Sequence, residues 1–103
     1  MIDDYVVHLI KEYLDRYLAK NEPVRLVAML HEIDYRNRTI PRFEEVNRAL
    51  KLCPGMYVHR TGGTIEFAPV KGGRKITADE MQQAYVSYRE WFDIEYQKLQ
   101  SGE

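Results

Sequence analysis

The sequence predicts a single α+β domain with three helices, a two-stranded β-hairpin and a long C-terminal helix. In four segments the apolar residues recur every three or four positions, which is the period of an amphipathic helix. Residues 56–69 instead alternate apolar and polar side chains around Gly62-Gly63, which indicates two strands and a tight turn. The 103 residues suffice for one compact domain but not for two. We therefore expect residues 1–75 to form the core and residues 76–100 an amphipathic helix attached to it.

The first two helices are predicted at residues 3–20 and 24–34. Asp3 and Asp4 favour the start of the first helix, because acidic side chains bind free backbone N–H groups and suit the positive end of the helix dipole. Pro23 marks its end. The apolar stripe of the first helix comprises Val6, Leu9, Ile10, Tyr13, Leu14, Tyr17 and Leu18. The buried side of the second helix comprises Val24, Val27, Leu30 and Ile33, with Leu26 or Met29 at its margin.

A polar turn at residues 34–39 leads to a third helix, predicted at residues 41–53. Pro41 suits the first turn of a helix, and the Pro-Gly pair at 54–55 ends it. The apolar face of this helix comprises Phe43, Val46, Leu50 and Cys53. Its opposite face comprises Glu44, Glu45, Arg48 and Lys51, with Arg42 and Asn47 at the edges. Because Cys53 falls on the apolar face, we expect an inert core thiol.

The hairpin has a defined predicted register. A two-residue turn at Gly62-Gly63 pairs Thr61 with Thr64, Arg60 with Ile65, His59 with Glu66 and Val58 with Phe67. This register places four apolar side chains on one side of the hairpin, namely Met56, Val58, Ile65 and Phe67. Arg60 lies on the same side but close to the tip, where its charged end can reach water.

The C-terminal helix follows a basic link at residues 70–75. Thr77 and Glu80 form a capping-box pattern, so the helix is predicted to begin there and to run to about residue 99. Its broad apolar band comprises Met81, Ala84, Tyr85, Tyr88, Trp91, Phe92, Tyr96 and Leu99. This band either packs on the first helix and closes the core or forms a homodimer interface, and we expect some of both. The residues predicted for the interface are Tyr85, Tyr88, Trp91, Phe92 and Tyr96.

Charge is strongly segregated along the chain, although the net charge is only −1. Residues 36–75 carry nine basic and three acidic side chains, whereas residues 1–35 and 76–103 have net charges of −3 and −4. A basic middle between acidic ends allows a local face that binds anions. The alternative is that two solvated helices are acidic and one loop region is basic, without a common face.

Several classes of protein are not indicated. No apolar run approaches the roughly 20 residues that span a bilayer, and the acidic N-terminus has no secretory-signal pattern. The single cysteine predicts a reducing, cytoplasmic location. The three histidines are scattered, and metal-binding or nucleophile motifs such as Cys-x-x-Cys and Gly-x-Ser-x-Gly are missing from the sequence. We therefore expect no membrane association, no enzyme activity, no cofactor and no metal.

One stretch resembles a known family. Residues 43–67, FEEVNRALKLCPGMYVHRTGGTIEF, place a helix directly before a hairpin. Together with the preceding helix and turn, they resemble a winged helix-turn-helix domain over about residues 5–69. The resemblance implies a winged-helix-like fold whose third helix enters the major groove of DNA, with the hairpin, or wing, near the backbone or minor groove. Glu44 and Glu45 depart from this pattern, since acids repel phosphate; they would accept hydrogen bonds from cytosine or face a protein instead.

The resemblance assigns roles to the basic residues. Arg36 and Arg38 would grip phosphate from the turn, while Arg42, Asn47 and Arg48 would reach base edges. The remaining members of the predicted surface are Lys51, Arg60, Lys71, Arg74 and Lys75. The function expected is therefore binding of double-stranded DNA by a small, dimeric transcriptional regulator. The alternative is a protein-interaction module, such as an adaptor or inhibitor, with the same scaffold and no nucleic-acid binding.

Overall fold

A computed structural model describes residues 2–61, 64–69 and 77–100 of the chain. These residues form four helices and a three-stranded antiparallel sheet, so the predicted α+β class is confirmed. In chain order the elements are α1 (Asp4–Lys20), β1 (Val24–Arg25), α2 (Leu26–Asn37), α3 (Phe43–Lys51), β2 (Tyr57–Thr61), β3 (Thr64–Ala68) and α4 (Ala78–Gln100). Within the described part of the chain, no helix combines the length and the apolar character that crossing a membrane requires.

Helix α1 has the ends that the sequence predicts. The Asp3 side chain accepts a hydrogen bond from the backbone N–H of Tyr5 at 2.9 Å, which caps the helix. At the other end Asn21 adopts a left-handed backbone conformation with a φ of 57°, and its N–H donates to the Leu18 carbonyl at 3.0 Å. The buried face of α1 comprises Val6, Val7, Ile10, Tyr13 and Leu14.

The sheet has three strands, so the prediction of a two-stranded hairpin is wrong. Strands β2 and β3 pair in the predicted register, and β1 adds to the other edge of β3, with Val24 opposite Phe67. The prediction that Val24 starts a helix is therefore also wrong. A strand of two residues is too short to show an alternating pattern, and its apolar residue was assigned to the neighbouring helix. His59 lies opposite Glu66 as predicted, and it is buried.

The boundaries around α2 and α3 also differ from the prediction. Most of the polar segment at 34–39 is helical, and the connection between the two helices is residues 38–42. Helix α3 is shorter than expected, because Pro41 lies before its N-cap residue, Arg42. The buried residues of α2 are Leu26, Met29, Leu30 and Ile33. Val27, which we expected on the buried side, is 45% exposed.

One hydrophobic core joins all four helices to the sheet. Phe67 of β3 lies at its centre and is fully buried, as are Ile10 and Leu14 of α1. Helix α4 closes this core with three side chains, Met81, Tyr85 and Tyr88. The predicted capping box of α4 is confirmed by bonds in both directions. The Glu80 N–H donates to Thr77 Oγ1 at 3.2 Å, and the Thr77 N–H donates to Glu80 Oε1 at 3.3 Å.

The Glu45 carboxylate connects the starts of α1 and α3. Glu45 Oε1 accepts from the backbone N–H of Arg42 at 2.7 Å, which caps its own helix. Glu45 Oε2 accepts from the backbone N–H of Asp3 at 2.7 Å, 42 residues away in the sequence. The residue is only 3% exposed, so the prediction that it lies on the outer face of α3 is wrong. The position of Glu45 in the helical repeat is compatible with the exposed face of α3. The free backbone N–H groups at the two helix ends nevertheless draw its carboxylate inward.

We expect Glu45→Ala to lower the free energy of unfolding by about 1–3 kcal/mol, because two partly buried backbone N–H groups lose a charged acceptor. Glu45→Gln keeps one acceptor oxygen of the same shape and should cost less. Urea unfolding measures both. Glu44→Ala is the matched control: Glu44 is exposed, so its replacement should change stability by less than about 0.5 kcal/mol. If Glu45→Ala proved as stable as this control, the proposed connection between the helices would be wrong.

Candidate nucleic-acid interface

The outward face of α3 carries three of the predicted site residues. Arg48 and Lys51 are exposed, and Asn47 is partly buried beside them. Neither Arg48 nor Lys51 has an ion-pair partner within the described residues. With Glu45 turned inward, Glu44 is the single acid of α3 left on this face. The two cations therefore lie on a surface that is less acidic than the sequence suggested.

The connection between α2 and α3 adds Arg38 and Arg42, both exposed. Arg38 ends α2 in a left-handed backbone conformation with a φ of 54°. Glycine and asparagine adopt this conformation readily, whereas an arginine pays a steric cost for its Cβ. Asn21 occupies the equivalent position at the end of α1. The left-handed conformation is therefore adopted by a residue that tolerates it in α1 and by one that does not in α2.

Two other predicted arginines are already paired. Arg36 Nε lies 2.7 Å from Glu32 Oε1 on the exposed surface of α2. Arg60 Nη1 lies 3.4 Å from Glu80 Oε2, which joins the hairpin to the first turn of α4. Exposed ion pairs of this kind are weak, so both side chains can exchange partners at little cost. Lys71, Arg74 and Lys75 lie outside the described residues, as do the side chains of Thr61 and Thr64.

A groove of about 990 Å³ separates α4 from the end of α2, the 38–42 connection and the first turn of α3. Its apolar residues include Phe43, Tyr85 and Phe92, and the rings of Phe43 and Tyr85 meet edge to face with centroids 6.3 Å apart. The charged residues that line it are Arg38, Arg42, Arg89, Asp34, Glu44 and Asp93. Sequence reasoning did not assign Arg89 to the site, because it lies in the acidic last segment and only the packing of α4 brings it to α3.

The aromatic residues predicted for a dimer interface divide into two groups. Tyr85 and Tyr88 are buried in the core of their own chain, and burial raises the pKa of Tyr85 to about 12. Within the described residues, the Tyr88 hydroxyl is buried without a hydrogen-bond partner. Phe92 packs partly against the core, while Trp91 is 50% exposed. The Tyr96 side chain lies outside the described residues. A self-association surface on α4 would therefore use Trp91 rather than the two tyrosines.

Cys53 is a buried thiol just after the C-cap of α3. Its Sγ donates to Asp15 Oδ1 at 3.3 Å, and Asp15 in turn bonds Lys11 Nζ at 2.6 Å. Burial, together with the nearby carboxylate, raises the pKa of the Cys53 thiol to about 11. The hydrogen bond from Lys11 is the main cause that lowers the pKa of Asp15. A thiol with this pKa is a poor nucleophile at neutral pH, as the predicted core role requires.

In the described part of the chain, no cluster of three or more His, Cys, Asp or Glu residues could hold a metal ion. Comparison of the chain with protein-family models, with curated proteins and with solved structures finds no match in any of the three.

We expect Arg38→Gly to raise the free energy of unfolding by about 0.5–1 kcal/mol, because glycine relieves the steric cost of the left-handed conformation. Thermal or urea unfolding measures the change. Asn21→Gly is the control at the equivalent position of α1, where the gain should be smaller since asparagine already tolerates this conformation. A loss of stability in Arg38→Gly would show that the Arg38 side chain contributes more to the fold than its backbone costs.

The raised pKa of Cys53 predicts slow alkylation. At pH 8 a thiol with the ordinary pKa of 9.0 is about 10% thiolate, whereas one with a pKa of about 11 is about 0.1% thiolate. We therefore expect iodoacetamide to modify the folded protein about two orders of magnitude more slowly than the urea-unfolded chain. As pH rises from 9 towards 11, the folded state keeps a proton that the unfolded state loses, so this group lowers stability across that window. Equal alkylation rates in the two states would contradict the buried hydrogen-bonded thiol.

Proposed function

We propose that this protein binds double-stranded DNA through a winged helix-turn-helix surface and acts as a small transcriptional regulator. The surface consists of α2, the 38–42 connection and α3, with the β2–β3 hairpin as the wing. The order of these elements agrees with the resemblance of residues 43–67. The observation that carries the proposal is the outward face of α3, where Arg48 and Lys51 are exposed without ion-pair partners in the described residues.

The inward position of Glu45 supports this function. A carboxylate on the outer face would repel the phosphates that flank a helix in the major groove. Because Glu45 binds two backbone N–H groups instead, its charge is held away from that face. Glu44 remains, and a glutamate in the major groove can accept a hydrogen bond from the amino group of cytosine. One acid among several cations is compatible with sequence-specific reading.

The backbone conformation of Arg38 is a second, independent support. An unfavourable residue at a left-handed position persists when its side chain has a use that outweighs the cost. Arg38 lies just before the recognition helix, in the connection where a guanidinium can grip phosphate. Arg42 follows it at the N-cap of α3, and Arg48, exposed on the helix itself, would donate two hydrogen bonds to guanine. Phosphate contacts would position the protein, and Arg48 with Asn47 would read the sequence.

A protein-interaction function is the second candidate, and exposed apolar side chains on α4 favour it. Trp91 and Ile94 are 50% and 55% exposed, and Val27 of α2 lies beside Trp91 in an apolar depression. Such side chains are typical of contact surfaces. They would serve a homodimer of the DNA-binding protein, since two-fold symmetry matches paired half-sites. They would equally serve an adaptor that binds no nucleic acid, so the measurement of DNA binding separates the two candidates.

The DNA-binding function is tested by fluorescence anisotropy with a labelled duplex selected from a random pool at 50 mM NaCl. We expect binding that weakens steeply with salt; about five phosphate contacts give a log–log slope of about −4 to −5. Arg48→Ala should weaken binding to the selected duplex by about 1–3 kcal/mol, which is roughly 5- to 150-fold, and should relax its sequence preference.

Arg16→Ala is the matched control, because Arg16 lies on α1, where its guanidinium stacks over Tyr13 with its carbon 5.2 Å from the ring centroid. This variant should bind as the wild type does. Failure of the wild-type protein to bind any duplex at 50 mM salt and micromolar concentration would reject the DNA-binding function and favour the protein-interaction module.

A further inference from the structure

Helix α4 forms one wall of the groove that starts at the first turn of α3. Val86, Arg89 and Asp93 follow one another at three- and four-residue spacing on that wall, so they share one side of the helix. Glu44 belongs both to the opposite wall and to the outward face of α3. The groove and the face that carries Arg48 are therefore continuous.

The position of α4 determines what a DNA duplex would meet beside α3. An α-helix with its side chains is about 10–12 Å wide and fills a major groove of about 12 Å. The sugar-phosphate strand that borders the groove would run alongside the helix, so an element that stands beside the first turn of α3 lies near the path of that strand. The edge-to-face contact of Phe43 with Tyr85 places α4 in direct contact with the first turn of α3. A strand that passes this end of α3 must therefore pass α4.

We propose that α4 is part of the DNA-binding surface, and that Arg89 contacts a backbone phosphate at the N-terminal end of α3. The inference rests on the proposed DNA-binding function and extends it to a helix whose segment is acidic overall. Arg89 has no ion-pair partner within the described residues, although Asp93 lies one turn away on the same side. Its guanidinium is therefore available to phosphate. Asp93 opposes the same strand and limits how tightly the protein holds DNA.

The groove carries three guanidiniums and three carboxylates, and this balance distinguishes the DNA strand from other occupants. A peptide with both charges would gain from Arg89 and from Asp93 alike. A phosphate strand gains from Arg89 and is repelled by Asp93. Arg89 and Asp93 lie one turn apart on the same helix. Replacing Arg89 should weaken DNA binding and replacing Asp93 should strengthen it, whereas either replacement should weaken the binding of such a peptide.

Duplex binding by Arg89→Gln and Asp93→Asn tests the inference, with the anisotropy assay and the selected duplex described above. Arg89→Gln should weaken binding about three- to tenfold at 100 mM salt and reduce the magnitude of the salt slope by about one, as expected for the loss of one phosphate contact. Asp93→Asn should tighten binding about two- to fivefold. A misfolded variant would not bind DNA more tightly than the wild type. Tighter binding by Asp93→Asn therefore supports the inference even if Arg89→Gln is destabilised.

The possible outcomes separate the two proposals. If the wild type binds the duplex and Arg89→Gln binds equally well, α4 lies outside the interface, while the function of α3 stands. If both variants weaken binding, the groove does not hold a phosphate strand in the manner proposed and the inference is also overturned. If the wild type binds no duplex at all, the DNA-binding function and the role of Arg89 fall together.

Discussion

The fold depends on a single buried carboxylate that joins two helix N-termini. Glu45 accepts one backbone N–H from its own helix and one from Asp3, the residue that caps α1. Each helix end would otherwise leave a partly buried backbone N–H group without a protein acceptor, which is costly. Together with the packing of α1 on α3, the two bonds favour one rotation of α3 against α1. That rotation turns Val46 and Ala49 into the core and leaves Arg48 and Lys51 outside.

Helix α4 uses the same device in a more exposed setting. Glu80 is the third residue of its helix, as Glu45 is in α3; one oxygen bonds back to the Thr77 N–H and the other lies 3.4 Å from Arg60 of the hairpin. The helices on the two sides of the groove are thus each tied to a distant segment by a glutamate that also caps them. The partly exposed pair with Arg60 is the weaker connection, since water screens it. The packing of Met81, Tyr85 and Tyr88 holds α4 more firmly.

Periodicity and turn chemistry predicted most of the fold, and the errors have physical causes. The hairpin register followed from Gly62-Gly63 because a two-residue turn leaves one pairing, and the capping box of α4 followed from a local motif. Strand β1 was missed because a strand of two residues shows no alternating pattern. The inward position of Glu45 was missed because its partner Asp3 is 42 residues away in the sequence. For the candidate site, the basic residues of α3 were found from their spacing. Arg89 was not found, since only the tertiary packing of α4 places it across the groove from the first turn of α3.

The central claim is that the outward face of α3 meets DNA, and backbone amide chemical shifts measured with and without the selected duplex test it most directly. We expect the largest shifts at residues 38–51, with smaller ones between Val86 and Asp93 on α4. Helix α1, whose segment is acidic and whose buried face packs against the core, should change little. Shifts concentrated on α1, or around Trp91 with none on α3, would contradict the account and identify a different binding surface.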